Sequence, residues 1–231
     1  MAEIKHDTII REFQDFIMNE TYPCVAARSA MARKHIPFYV AHHIGCGKDD
    51  THILQFLYRF IADFRAVKTN FHSAAVIFKG PETITEETFD AYLWQRLQSL
   101  SQLDAVNFSY DQRVSPEPLS PDFSFSLGEE AFFIIGLHPS NTRPSRVFKY
   151  PAIVFNPHVQ FEEMRKSDRY QKMKTIVRKR DFLYSGSVNP MLADFGKKSE
   201  VYQYSGREYD LEWTCPLGKA HGETKNNSAQ E

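Results

Sequence analysis

Residues 121–165 read PDFSFSLGEEAFFIIGLHPSNTRPSRVFKYPAIVFNPHVQFEEMR, and this stretch decides the fold. Phe123, Phe125 and Leu127 alternate with serines, the period-two pattern of a strand with one buried face. Gly128-Glu129-Glu130 turns the chain, and Ala131 to Leu137 is a continuous apolar run, as expected of a strand buried on both faces. After a polar loop, Phe148 to Phe155 predicts another strand. Asn156-Pro157 offers an N-cap and a first-turn proline to the helix that follows. Neighbouring strands leading into a helix point to a sheet with helical cover.

Upstream, Asp7 with Ile9, Ile10, Phe13, Phe16 and Ile17 predicts a capped helix to about Glu20, stopped by Tyr22-Pro23. Cys24 to Ala32, rich in small residues, reads as a short helix leading to a strand over Pro37–Ile44. Asp49 or Asp50 caps a helix with a broad apolar face from Ile53 to Phe64. Ser73–Phe78 reads as a buried strand, and Thr83 with Glu86 as a capping box for a helix carrying Phe89, Leu93, Leu97 and Leu100. Downstream, Lys172 to Arg180 holds Met173, Ile176 and Val177 at helical spacing, with its cations on a solvated face. Asn189-Pro190 opens a short helix to Phe195. The expected architecture is one mixed α/β domain over residues 1–217. Its central mostly antiparallel or mixed sheet is covered by helices, and residues 218–231 form a disordered C-terminal tail.

Composition narrows the classes. The 231 residues are 42% hydrophobic and 25% charged, which suits a globular chain and excludes a disordered or fibrous one. A formal charge of −1 provides no global field for nucleic acid or an anionic membrane. Residues 1–12 lack an apolar signal core, and no apolar run approaches bilayer length. Three cysteines, Cys24, Cys46 and Cys215, form no CxxC pair, so a reducing, cytoplasmic location is expected. The 19 Phe and 11 Tyr serve an aromatic core or the walls of a pocket for a planar ligand.

Reactive side chains concentrate between Gly136 and Arg165. His138 ends the apolar strand, where side chains emerge into clefts, and His158 stands in the first turn of the next helix beside Gln160, Glu162 and Arg165. Facing one pocket, one imidazole would ligate a metal or haem iron and the other handle protons; the competing reading is a hydrogen-bonded structural histidine. Arg143 and Arg146, with Lys149 nearby, suit carboxylates such as haem propionates, or else are solvated loop cations. Cys24, with Arg28 one helical turn on, and Cys215 are candidate thiolate ligands or nucleophiles, against the alternative of buried inert thiols. His42 and His43 point to opposite faces of a strand and, with His52, lack partners at metal-site spacing. Gly45-Cys46-Gly47-Lys48 lacks the full phosphate-loop pattern.

Five segments, Tyr22-Pro-Cys-Val-Ala-Ala27, Gly136-Leu-His-Pro139, Ser145-Arg-Val-Phe148, Phe155-Asn-Pro-His-Val-Gln-Phe-Glu162 and Trp213-Thr-Cys-Pro216, resemble the YqcI/YcgG family across nearly the whole chain. The resemblance implies a haem-dependent N-oxygenase hydroxylating a guanidine- or amine-type nitrogen of a small metabolite. It also implies haem b, dioxygen or peroxide as oxidant and an unidentified electron donor. Under it, His138 is the first candidate for the iron ligand, with His158, Cys24 and Cys215 as alternatives. His158, Gln160 and Glu162 become catalytic candidates, with Arg143, Arg146 and Cys24 on the cofactor side. Glu162 would meet a cationic guanidine, Asp122 and Glu129 being further carboxylates. Two other readings stand beside it: a haem or small-ligand binder without turnover, and a metal-free Cys/His enzyme. The last lacks any cysteine in a recognised nucleophile context.

Overall fold

The computed structural model describes residues 5–67, 71–166, 169–187, 189, 191, 195–210 and 212–218. The described chain forms one mixed α/β domain around a five-stranded sheet of order β1-β2-β5-β4-β3. The strands are β1 (Phe38–His43), β2 (Ala74–Gly80), β3 (Phe125–Leu127), β4 (Glu130–Leu137) and β5 (Ala152–Pro157). Only β1 and β2 run parallel; the other three pairings are antiparallel. The hairpin between β3 and β4 turns on Gly128 and Glu129, both at positive φ, where glycine carries no side-chain penalty.

Both faces of the sheet are covered. On one face α3 (Asp50–Ala66) and α4 (Glu86–Asp104) meet Val76, Phe78, Phe132, Ile134, Ile153 and Phe155 in the larger core. On the other, α1 (His6–Met18) and α2 (Val25–Ala32) pack with Ala75, Ile77, Leu137 and Ala152. The helices α5 (His158–Arg165) and α6 (Arg169–Ser185) join this second face, touching β4 and α2 respectively. Helix α1 seats Ile9, Phe13 and Ile17, one side chain per turn. Each such burial is worth about 1.5–3 kcal/mol.

Several boundaries differ from the sequence expectation for local reasons. Lys5 rather than Asp7 occupies the N-cap of α1, and Asp7 lies in the first turn, where a carboxylate meets the positive end of the helix dipole. Helix α4 is capped by Thr85, whose Oγ1 accepts the Thr88 N–H at 3.2 Å, and not by Thr83. Strand β5 begins only at Ala152, because Pro151 has no N–H for a ladder. The preceding Phe148 and Tyr150 instead pack toward α1, with the Phe148 ring 5.1 Å from Phe13. Asn156 is not a cap. Its side chain stays in the sheet, accepting from Ser73 Oγ at 2.7 Å and donating to Phe133 O at 3.0 Å. The expected helix over Asn189–Phe195 lies largely, and the tail beyond Gly218 wholly, outside the described residues.

Candidate functional site

Side chains alternate along β4, and the alternation exposes a gap. Phe132 and Ile134 are sealed in the larger core, whereas Phe133 and Ile135 on the opposite face are only partly buried, as is Val154 beside them on β5. The gap is a cavity of about 290 Å³ between the sheet and its second helical layer, near the lower end of the roughly 300–1,000 Å³ usual for small-molecule pockets. Helix α1 contributes Phe13 and Ile17, and α2 contributes Ala26, Ala27 and Ala30. Helix α6 contributes Tyr170, Met173, Lys174, Val177 and Arg178, a stripe at i, i+3, i+4, i+7 and i+8. That stripe revises the reading of α6: its cations are not all on a solvated face, and Ile176 points outward, 49% exposed.

Of the residues singled out from the sequence, the cavity gathers Cys24, His158, Gln160 and Arg165. Cys24 is the N-cap of α2, and its Sγ accepts the Ala27 N–H at 3.4 Å. Burial raises its thiol pKa, against the opposing effect of those N–H groups. Gln160 fixes the segment entering β2: its Oε1 accepts the His72 N–H at 2.9 Å and its Nε2 donates to His72 O at 3.0 Å. His72 in turn stacks on His35 at 4.1 Å. His158 Nε2 lies 3.2 Å from Glu162 Oε1, and Glu162 also pairs with Arg165 at the rim. Burial, with help from the Arg165 charge, lowers the His158 pKa, so the ring is neutral near pH 7.

The other candidates sit elsewhere. His138 is fully buried outside the cavity lining, stacked on Phe89 at 4.3 Å with Asn141 Nδ2 2.9 Å from its Nε2. Arg146 is a buried staple donating to Gly136 O, Tyr204 O and Gln203 O at 2.9–3.2 Å. Arg143 is held by Asp181 and the Ser187 carbonyl. Lys149 pairs with Glu12 on the surface. Cys215 packs against the larger core, and burial pushes its thiol up to about 12. Glu129 belongs to the β3–β4 turn and Asp122 is exposed, so neither faces the cavity. His42 bonds Asp49 at the other end of the sheet.

One member was missed. Glu200 opens the 3₁₀ turn Glu200–Gln203 and lines the cavity at 5% exposure. Its Oε1 accepts from Tyr204 Oη at 2.5 Å and Ser124 Oγ at 2.8 Å, and its Oε2 lies 4.0 Å from His158 Nδ1. Burial pushes its carboxyl up to about 8, outweighing the Tyr204 and Ser124 hydrogen bonds. The only sequence signal was an acidic residue beside an apolar one in Ser199-Glu-Val-Tyr-Gln203, too common a pattern to single it out. The site therefore joins apolar walls, a sulfur at a helix N-terminus, and a carboxyl–imidazole–carboxylate row. That combination can enclose a planar apolar ligand and move a proton at its polar end.

Comparison with known proteins places the chain in a family. The family model for the YqcI/YcgG family matches residues 13–218, a span that includes every cavity-lining segment. The protein named uncharacterized protein YqcI, from Bacillus subtilis (strain 168), is 30% identical over 156 residues, covering 64% of this chain and 61% of its own length. Uncharacterized protein YcgG from the same organism is 24% identical over 210 residues, covering 86% of this chain and 81% of its own. The chain thus spans less than two thirds of YqcI. No solved structure matches. From the first cavity wall at Phe13 to the last described residue, the chain belongs to the YqcI/YcgG family.

Proposed function

We propose that the cavity is the active site of a haem-dependent N-oxygenase that hydroxylates a guanidine- or amine-type nitrogen of a small metabolite. The observation that carries this reading is the placement of Cys24. A thiolate that ligates iron needs a sulfur on a dry wall with N–H donors behind it to hold its charge. Cys24 meets both requirements, and its neighbours Ala26, Ala27 and Ala30 leave the wall beside it free of bulky side chains. The remaining candidates fit less well: His138 and Cys215 are off the cavity, and both His158 nitrogens are directed at carboxylates. We therefore assign the iron to Cys24 alone. Lys174, Arg178 and Lys198 are the wall cations suited to two propionates, in place of Arg143 and Arg146.

When bound, haem supplies the iron chemistry that activates dioxygen or peroxide. The chain's own part is to exclude water with Phe133, Ile135 and Val154, and to hold the nitrogen near a carboxyl group. The partly exposed Glu162 is already neutralised by Arg165, so the enclosed Glu200 carboxyl is the group left to hydrogen-bond the substrate nitrogen. Because burial keeps the empty Cys24 thiol protonated, ligation must release that proton, and haem affinity is expected to rise with pH. An absorption titration with ferric haem, followed by reduction and carbon monoxide, tests the reading. A saturable Soret band is expected, with a thiolate-type reduced-CO position lost in Cys24→Ser and kept in His138→Phe. Protein that stays colourless throughout the titration refutes haem binding. An unchanged spectrum in Cys24→Ser refutes the ligand assignment. With haem established, turnover of guanidines and amines to N-hydroxy products completes the test.

A further inference from the structure

A carboxyl that serves only to hold a fold spends both oxygens on fixed partners. Asp111 does so: its Oδ1 accepts from the Arg113 backbone and side chain, and its Oδ2 from Arg113 and the Ala131 N–H. Glu200 is different. Tyr204 and Ser124 both donate to Oε1, while Oε2 turns toward His158, beyond which Glu162 reaches solvent at 41% side-chain exposure. The three groups form one row from the buried side of the cavity to its rim, carried by separate elements: the 3₁₀ turn for Glu200 and α5 for His158 and Glu162. The charged and titratable groups around Glu200 are Tyr204 on its own turn, Tyr110 from the segment after α4, and His158 and Arg165 on α5.

We infer that Glu200 is the acid–base group of the cavity and that it exchanges its proton with solvent through His158 and Glu162. The inference rests on the cavity being the active site, but not on haem. In the acidic form the proton sits on Oε2, since Oε1 already accepts two O–H groups. Donation to a basic atom of the ligand leaves the Glu200 carboxylate. His158 Nδ1–H then returns a proton to Oε2 while the Glu162 carboxylate takes one from solvent and passes it to Nε2. The net change is one proton moved from solvent to ligand; Glu200 and Glu162 are restored, and His158, left as the Nε2–H tautomer, is reset by a ring flip or by exchange with water. A ring rotation or one bridging water closes the 4.0 Å gap. Burial keeps Glu200 protonated and His158 neutral near pH 7, the charge states this direction of transfer requires.

Infrared difference spectroscopy of the protonated carboxyl stretch tests this on the ligand-free full chain. A band is expected that persists to neutral pH, disappears as pH rises through about 8, and is absent in Glu200→Gln. After a pH jump, its decay should slow at least about tenfold in Glu162→Gln and in His158→Phe, as loss of a positioned proton carrier implies. The wild-type titration needs no variant to fold: a carboxyl band that titrates entirely in the ordinary carboxylate range overturns the assignment. Unchanged decay in both variants overturns the route. A normal infrared result on protein that never binds haem would refute the cofactor alone, whereas a Soret band with no high-titrating carboxyl would refute the relay alone.

Discussion

His138 shows how a residue that looks catalytic in the sequence can be a stability element in the fold. It is fully buried, its Nδ1 has no hydrogen-bond partner among the described residues, and burial together with the Arg146 charge brings its pKa down to about 4. The unfolded chain binds a proton near pH 6.5. Between those values the unfolded state is protonated and the folded state is not, so stability is complete above about pH 6.5 and falls as pH drops toward 4. The depression is worth up to about 3 kcal/mol. Urea unfolding of His138→Phe across pH 4–7 should therefore show a flatter acid limb than wild type. Equal slopes would mean the imidazole charges in the folded state without cost. Arg146 is a second such residue: Arg146→Met removes the side-chain donors to three carbonyls, of which Tyr204 O keeps the Gly136 N–H, and should cost about 3–5 kcal/mol. Lysine cannot rescue it, because one ammonium does not span the fork.

At the scale of the element, the strands were legible because each is bounded by turn residues and spelled in apolar side chains, as in Ala131–Leu137. What escaped the sequence were the positions set by tertiary contacts. Residues 148–151 read as strand but serve α1, since Pro151 ends the ladder. Glu200 meets His158 across 42 residues of chain, a pairing no local pattern encodes. Of the four proposed iron ligands, the fold brings Cys24 and His158 to the cavity, because both stand at the starts of helices on the same sheet face. Two substitutions probe these elements. At Gly136 in β4, an added Cβ would lie 2.8 Å from the Phe89 ring and 3.0 Å from Tyr204 O. Gly136→Ala should lower stability in denaturant melts by about 1–3 kcal/mol. Ala27 on α2 faces open space in the cavity, so Ala27→Phe should fold with near-wild-type stability while losing uptake of haem and of apolar fluorescent probes. Retained uptake would move the binding site off α2.

For the whole molecule, the cavity divides the domain into unequal halves. The side built from α3, α4 and the sheet holds the larger core, whereas the α1, α2, α5 and α6 side encloses the gap. Helix α6 is tied to the body by polar contacts: Arg180 donates to Tyr22 O, and Asp181 pairs with Arg143. It leaves Phe182 54% and Leu183 74% exposed. With few apolar contacts and a hollow beneath it, α6 should open at lower free energy than the sheet. Amide hydrogen exchange should then show α6 and α5 exchanging well ahead of β4, β5 and α4 in the empty protein. A ligand that fills the cavity binds the folded state only and adds about 2.7 kcal/mol at a hundredfold excess over Kd. If the ligand seats where the geometry places it, protection will rise first in α2, α5 and α6, because their opening destroys the site. The α3–α4 layer will gain only the global increment. Uniform protection would instead mean that the two sides unfold as one unit and that the cavity contributes no separate step of opening.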